Sequence, residues 1–169
     1  MSKVLVVYGT GTGCTTGVAE QIGKSLTDRG MTVGVFSAKD APDPSGYDAV
    51  FVGSGVRAGN WHGPVKEWVG ANAAALKEVP VAFFTACLTM ATEPGKSDDV
   101  RAYTDELIRT TGVKPVDVGL FAGWNEPKRF SFVERTILKM MGAPVGDFRD
   151  FDTIDSWVLA TADKLGLEG

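Results

Sequence analysis

Residues 4–13 read VLVVYGTGTG: five apolar residues run straight into a loop of glycines and threonines, and a helical pattern opens at Thr15. A buried strand that ends this way delivers the chain to the carboxyl edge of a sheet. Its glycines let the backbone turn so that N–H groups point at an anion on the N-terminus of the next helix. Thr10, Gly11, Thr12, Gly13, Cys14 and Thr15 spell T-x-T-G-x-T, so three hydroxyls and several amides can converge on one phosphate with no lysine or arginine in the loop. Neutral donors suffice for a monoester, because each hydrogen bond to a charged oxygen contributes about 1.5 to 3 kcal/mol and the helix dipole roughly 0.3 to 1. A Walker loop is excluded by the absence of G-K-[ST]. A dinucleotide fingerprint fails because, counting from Gly9 or Gly11, Cys14 or Thr16 stands where its last glycine belongs. The plain alternative is a strand-to-helix turn rich in small residues.

Outward from this stretch, apolar runs alternate with helical patterns, the signature of a parallel sheet with helices on both faces. Five strands are expected: Lys3 to Tyr8, Thr32 to Phe36, Asp48 to Gly53, Val81 to Phe84 and Pro115 to Ala122. The second is short and carries a glycine, and the fifth carries Asp117, so both read as edges. Val50, Phe51 and Val52 are contiguous, as in a central strand covered on both faces. These features agree with the doubly wound order 2-1-3-4-5, which gathers the loops after strands one, three and four at one crevice. Helices are expected from Thr15 to Arg29, from Gly63 to Leu76 and from Phe130 to Met141. A last helix, with Asp152 as its N-cap, runs to about Leu165.

At 169 residues with 44% apolar content, the chain suits one domain, residues 1–169, that buries a full core without metals or disulfides. Seventeen basic against 21 acidic residues give a net charge of −4 with no basic stripe, which argues against nucleic acid as a partner. The apolar run after Met1 is too short for a signal peptide and no stretch reaches about 18 apolar residues, so a cytoplasmic protein is expected. Two cysteines, Cys14 and Cys87, make no secreted framework, and no cluster has metal-ligand spacing.

The phosphate loop resembles that of the flavodoxin superfamily, which carries T/S-x-T-G-x-T after its first strand. The segments YDAVFVGSGVRAGNWHGPVKEWV, PVAFFTACL and FAGWNEPKRFSFVERTILKMMGAPVGDFRD extend the likeness over nearly the whole chain. They are similar to the flavodoxin-domain branch that includes bacterial quinone-dependent protoporphyrinogen dehydrogenases. The resemblance implies a three-layer, flavodoxin-like α/β fold that binds FMN without a covalent bond. Thr10 to Thr15 would hold the phosphate. The segment Ser54, Gly55, Val56, Arg57, Ala58, Gly59, Asn60 and Trp61, together with Thr85, Ala86, Cys87 and Leu88, would flank the isoalloxazine, and glycines at 53, 55 and 59 would allow its close approach. The implied activity is an FMN-dependent oxidoreductase passing hydride equivalents from a porphyrinogen-like substrate to a quinone. The alternative is a flavodoxin carrying electrons between redox protein partners, and a third is a module that has lost the cofactor, against which the intact T-x-T-G-x-T argues.

Several residues keep two readings. Electron-carrier flavodoxins commonly clamp the ring between aromatics on both loops, whereas here only Trp61 is available and the loop after strand four offers none. One face of the ring would then be open to a second planar molecule; Trp61 itself either stacks on the ring or packs at the helix start. Lys128, Arg129, Arg135 and Lys139 against Glu134 give a local charge of +3 around the apolar helix 130–141. That helix either rests peripherally on anionic lipid, within reach of a dissolved quinone, or covers the sheet with a solvated basic face. Trp124 is read as a cap on the core, the alternative being a residue that lines a substrate crevice; His62 is read as a half-exposed histidine without catalytic duty, the alternative being proton exchange with flavin or substrate; and Arg57 is either a surface residue or the partner of a propionate or quinone carbonyl. No redox role is expected for Cys14, Cys87 is read as a small apolar residue at a strand end, and no bridge between them is expected.

Overall fold

The computed structural model describes residues 1–169. In chain order its elements are β1 (Lys3–Gly9), α1 (Cys14–Asp28), β2 (Thr32–Ser37), β3 (Ala49–Arg57), β4 (Asn60–Trp61), α2 (Gly63–Ala71), α3 (Ala73–Leu76), β5 (Val81–Cys87), α4 (Thr89–Thr92), α5 (Ser97–Thr111), β6 (Asp117–Ala122), β7 (Trp124–Asn125), α6 (Phe132–Met140), β8 (Gly146–Asp147) and α7 (Phe151–Lys164). The five long strands make one parallel sheet in the order β2-β1-β3-β5-β6. This is the expected 2-1-3-4-5 with the two-residue β4 set aside.

Side-chain alternation along these strands builds two cores. Val4 and Val6 of β1 face Val18, Ile22 and Leu26 of α1 and Ile154 and Val158 of α7. Leu5 and Val7 face the other layer, with Val65 and Val69 of α2 and Leu107 of α5. A strand buried on both faces must be apolar at every position, which is why β1, β3 and β5 read as unbroken runs. The layer of α1 and α7 is also tied by polar contacts: Asp155 accepts from Gln21 at 2.7 Å and from Ser25. On the edge strand, Asp117 accepts from Lys164 at 2.6 Å and from Thr161 at 3.1 Å, so the acidic residue of β6 anchors α7.

Several boundaries differ from expectation. The helix expected over 63–76 breaks at Asn72 into α2 and α3. The last helix is capped by Asp150, which accepts from the Thr153 N–H at 3.2 Å, so Asp152 lies in its first turn. β3 continues to Arg57 because β4 folds back on it, pairing Val56 with Trp61 and Arg57 with Asn60. The turn between them, Ala58 and Gly59, has positive φ at both residues, 48° and 74°, the twist a tight hairpin needs. α5 is an element that the apolar periodicity does not single out. Its buried stripe is Val100, Thr104 and Leu107, with a threonine in the middle.

Gly53 serves the core rather than the crevice. A Cβ there would stand 2.0 Å from the ring of Phe84, which is fully buried. Gly53→Ala should therefore lower stability by roughly 1–3 kcal/mol through overpacking, read as a fall in the urea midpoint.

Candidate functional site

The carboxyl ends of β1, β3 and β5 open onto a cleft of about 740 Å³. It is floored by the phosphate loop and flanked by the β3–β4 hairpin and the segment after β5, while residues 130–144 form its far wall. Most of the expected site residues line it: Thr10, Gly11, Thr12, Cys14, Thr15, Gly55 to Trp61, and Ala86 to Leu88. Three do not. Gly13 is the left-handed N-cap of α1, with φ 93°. Ser54 is buried and accepts the His62 N–H at 2.8 Å, and Thr85 is buried and accepts the Trp61 indole N–H at 3.0 Å.

The threonines of the loop hold their protons in reserve. Thr10 Oγ1 accepts from the Gly13 N–H at 2.8 Å, and Thr12 Oγ1 accepts from the Trp124 indole at 3.0 Å. Neither hydroxyl donates to another protein group. Thr15 is fully buried in the first turn of α1, and its Oγ1 has no partner at all. A native interior seldom leaves a buried hydroxyl unsatisfied without reason. Here it stands at a positive helix end beside two further free O–H groups, an arrangement fitted to an anion. Gly55 keeps that hydroxyl clear, since a Cβ at 55 would stand 3.0 Å from Thr15 Oγ1.

Although the loop contains no cation, three arginines from distant segments border it. A Cβ at Gly11 would stand 3.0 Å from Arg57 Nη1, one at Gly13 would stand 3.9 Å from Arg129 Nη1, and one at Gly17 would stand 2.4 Å from Arg149 Nη1. Each arginine is paired with a carboxylate: Arg57 with Glu134 at 2.5 Å, Arg129 with Glu126 at 3.6 Å and Arg149 with Asp147 at 2.7 Å. The hydrogen bonds from Arg149 hold the Asp147 carboxyl below its ordinary range. Arg57 is one of the expected site residues, whereas local motif reading does not place Arg129 or Arg149 at the loop, because their approach to it is made only by the folded chain.

Trp61 is 3% exposed and meets Phe83 edge-on at 5.6 Å, so its indole belongs to the packing and not to a stack across the cleft. The aromatic wall comes instead from residues outside the expected loops. Tyr103 of α5 reaches the cleft beside the Ala58–Gly59 turn, and Trp124 and Phe130 line it from the other side of the phosphate loop. Trp124 packs against the core, as expected of a cap, and also reaches the cleft. His62 lines the cleft with its Nδ1 buried and unpartnered. Burial, then the cations of Lys39 and Arg57, lower its pKa and keep the ring neutral. Cys14 and Cys87 are buried free thiols, and burial pushes Cys14 up to about 11 against the pull of Arg149.

α6 does not cover the sheet. None of its residues is buried, and Phe132, Val133 and Met140 are 76%, 65% and 83% exposed. Its inner face presents Ile137 and Leu138 to the cleft together with Glu134, whose ion pair with Arg57 ties the helix to the hairpin. Ser131 and Glu134 form a complete capping box, which pairs the first backbone N–H groups of the helix locally.

A parallel doubly wound sheet with a hydroxyl-rich anion cradle at its switch point defines a flavodoxin-like protein. The chain matches the Flavodoxin domain family over residues 5–152 and belongs to it. Among curated proteins it is similar to protoporphyrinogen IX dehydrogenase [quinone] of Escherichia coli K12, at 23% identity over 141 residues covering 82% of this chain and 78% of the relative. It is also similar to the Leishmania major protein of the same name, at 25% identity over 151 residues covering 88% of this chain and 65% of the relative. Solved structures with the same fold include a flavodoxin from the domain Archaea, with TM-score 0.54, 21% identity and coverage of 93% of this chain and 99% of that one. Another is a cysteine-to-serine variant of a flavodoxin from Pseudomonas aeruginosa, with TM-score 0.60, 14% identity and coverage of 98% and 99%. Flavodoxin-type proteins typically bind a flavin, and family and fold together support a flavin redox role.

The packing role of Trp61 has a direct check. Trp61→Phe keeps the contact with Phe83 but strips the buried Thr85 hydroxyl of its donor, and should cost about 1–3 kcal/mol in urea unfolding.

Proposed function

We propose that this chain is an FMN-dependent oxidoreductase that passes hydride equivalents from a porphyrinogen-like donor to a quinone. The observation that carries this reading is the cleft itself. At one end it holds a buried, unpartnered Thr15 hydroxyl on a helix N-terminus, and at the other it continues to an apolar wall on α6. The first end suits the phosphate of FMN; the second suits a planar, apolar reaction partner. The names of the Escherichia coli and Leishmania major relatives point to the same pair of substrates.

Bound FMN supplies the two-electron chemistry, and no side chain need act as its catalyst. The chain's own groups bind and orient. Thr10, Thr12 and Thr15 would donate to the phosphate, while the hairpin residues Gly55 to Asn60 and the segment Ala86 to Leu88 would flank the ring, with Trp61 packed behind the hairpin. Arg57 offers a guanidinium at the cleft to a carboxylate or carbonyl oxygen, its charge balanced meanwhile by Glu134. Ile137 and Leu138 offer the cleft an apolar surface. The exposed Phe132, Val133 and Met140, flanked by Arg135 and Lys139, form the face we assign to anionic lipid, where a bilayer-dissolved quinone is met.

The test is an anaerobic absorbance titration of FMN-loaded protein with protoporphyrinogen, followed by a menaquinone analogue supplied in anionic or neutral vesicles. Bleaching by the porphyrinogen and recovery with the quinone, faster from anionic vesicles, is the expected result. Inertness to both, with reduction by dithionite in two separate one-electron stages, would make the chain a protein-to-protein electron carrier. Equal recovery from both kinds of vesicle would remove the lipid contact. Within the cradle, Thr15→Val deletes a hydroxyl that makes no internal bond. Ligand-free stability should hold or rise, while FMN affinity measured by flavin fluorescence falls roughly tenfold or more.

A further inference from the structure

We propose that Trp124 is a positioning residue for the phosphate end of the cleft: its indole N–H fixes the Thr12 hydroxyl so that the hydroxyl's own proton is offered to the phosphate, and Arg149 holds the indole in place. The inference rests on the FMN reading above and assigns a selectivity to it.

A threonine hydroxyl has one proton and two lone pairs. When one lone pair is taken by a fixed N–H donor, the hydroxyl loses most of its rotational choice and its proton is polarised toward a further acceptor. Trp124 Nε1 makes that donation to Thr12 Oγ1 at 3.0 Å, from 112 residues further along the chain. The loop does the same for Thr10 with its own backbone, through the Gly13 N–H at 2.8 Å. Thr12 has no such local donor, and Trp124 supplies it.

The indole is held from several sides. Pairing of β7 with β8 sets Trp124 opposite Asp147. Asp147 receives Arg149 through both carboxylate oxygens, at 2.9 and 2.7 Å. The Arg149 guanidinium lies 4.4 Å from the Trp124 ring centroid and donates to the Cys14 carbonyl at 3.1 Å. Its side chain is 12% exposed, and it fills the space that a Cβ at Gly17 would need. The ring also lies over Gly13, where a Cβ would stand 3.6 Å away. The loop and the segment 124–149 therefore form a closed circuit of contacts: Thr12 to Trp124, Trp124 to Arg149, and Arg149 back to Cys14. With its charge matched by Asp147 and its Nη1 spent on a loop carbonyl, Arg149 acts on the phosphate through geometry.

This arrangement serves only a flavin that carries a phosphate. FMN and riboflavin should therefore be titrated into flavin-free protein and followed by quenching of flavin fluorescence. Trp124→Phe keeps a ring beneath Arg149 but removes the N–H; it should weaken FMN by roughly threefold to tenfold and leave riboflavin within about twofold. Arg149→Met should show the same selective loss by releasing the indole, and serves where Trp124→Phe does not fold. Because the effect runs through one hydroxyl, the double variant Trp124→Phe/Thr12→Val should bind FMN no more weakly than Thr12→Val alone. Equal weakening of both flavins, unchanged FMN binding in Trp124→Phe, or an additive double variant would overturn the proposal. Failure of the unsubstituted chain to bind FMN is a separate result, and it would overturn the flavin reading together with this one.

Discussion

Burial of β1 on both faces is the constraint on which the rest of the structure depends. Val4 to Val7 have no exposed surface, so the strand has no polar face to give to a site. Whatever chemistry β1 positions must lie beyond its end. The chain leaves the sheet at Gly9, turns through small residues and enters α1, whose N-terminus then faces the space that the surrounding layers leave open. The same logic applies to β3 and β5. Their burial sends the polar work of the protein to one edge, where the β3–β4 hairpin and the segment after β5 meet the phosphate loop.

At that edge the polar groups divide into two kinds. Some are spent within the protein: Ser54 on the His62 backbone, Thr85 on Trp61, and each arginine near the loop on a carboxylate. Others are kept back: the protons of Thr10 and Thr12, and both capacities of Thr15. The first kind fixes the second. A hydroxyl that already accepts a hydrogen bond from a rigid donor does not have to be reordered when a ligand arrives, and that is the physical content of preorganisation.

The fold was legible because its strongest signals are local. Unbroken apolar runs marked the central strands, and the T-x-T-G-x-T loop could be placed before any tertiary contact was known. What sequence reading missed has a common cause. α5 packs through Val100, Thr104 and Leu107, a stripe whose middle residue is polar and whose other faces are charged, so its period is faint. Tyr103 on that helix carries no sequence signal of its own that would place it at the cleft. Arg149 and Trp124 approach the phosphate loop through pairing of two-residue strands, which no window of sequence reveals. Trp61 kept two readings, and the fold favours the second. Its place in a site loop suggested a ligand contact, but the hairpin turns the indole inward to Thr85 and Phe83.

The layer shared by α1 and α7 has a consequence for how the chain is made. α7 follows every strand of the sheet, yet Ile154 and Val158 complete the core that Val4 and Val6 begin. Until α7 has been translated, α1 alone covers this face, and the part of the core that Ile154 and Val158 fill stays open. Parallel pairing through distant contacts is slow to form, and exposed apolar surface invites association during that interval. The core on this side of the sheet is thus completed only when α7 docks beside α1.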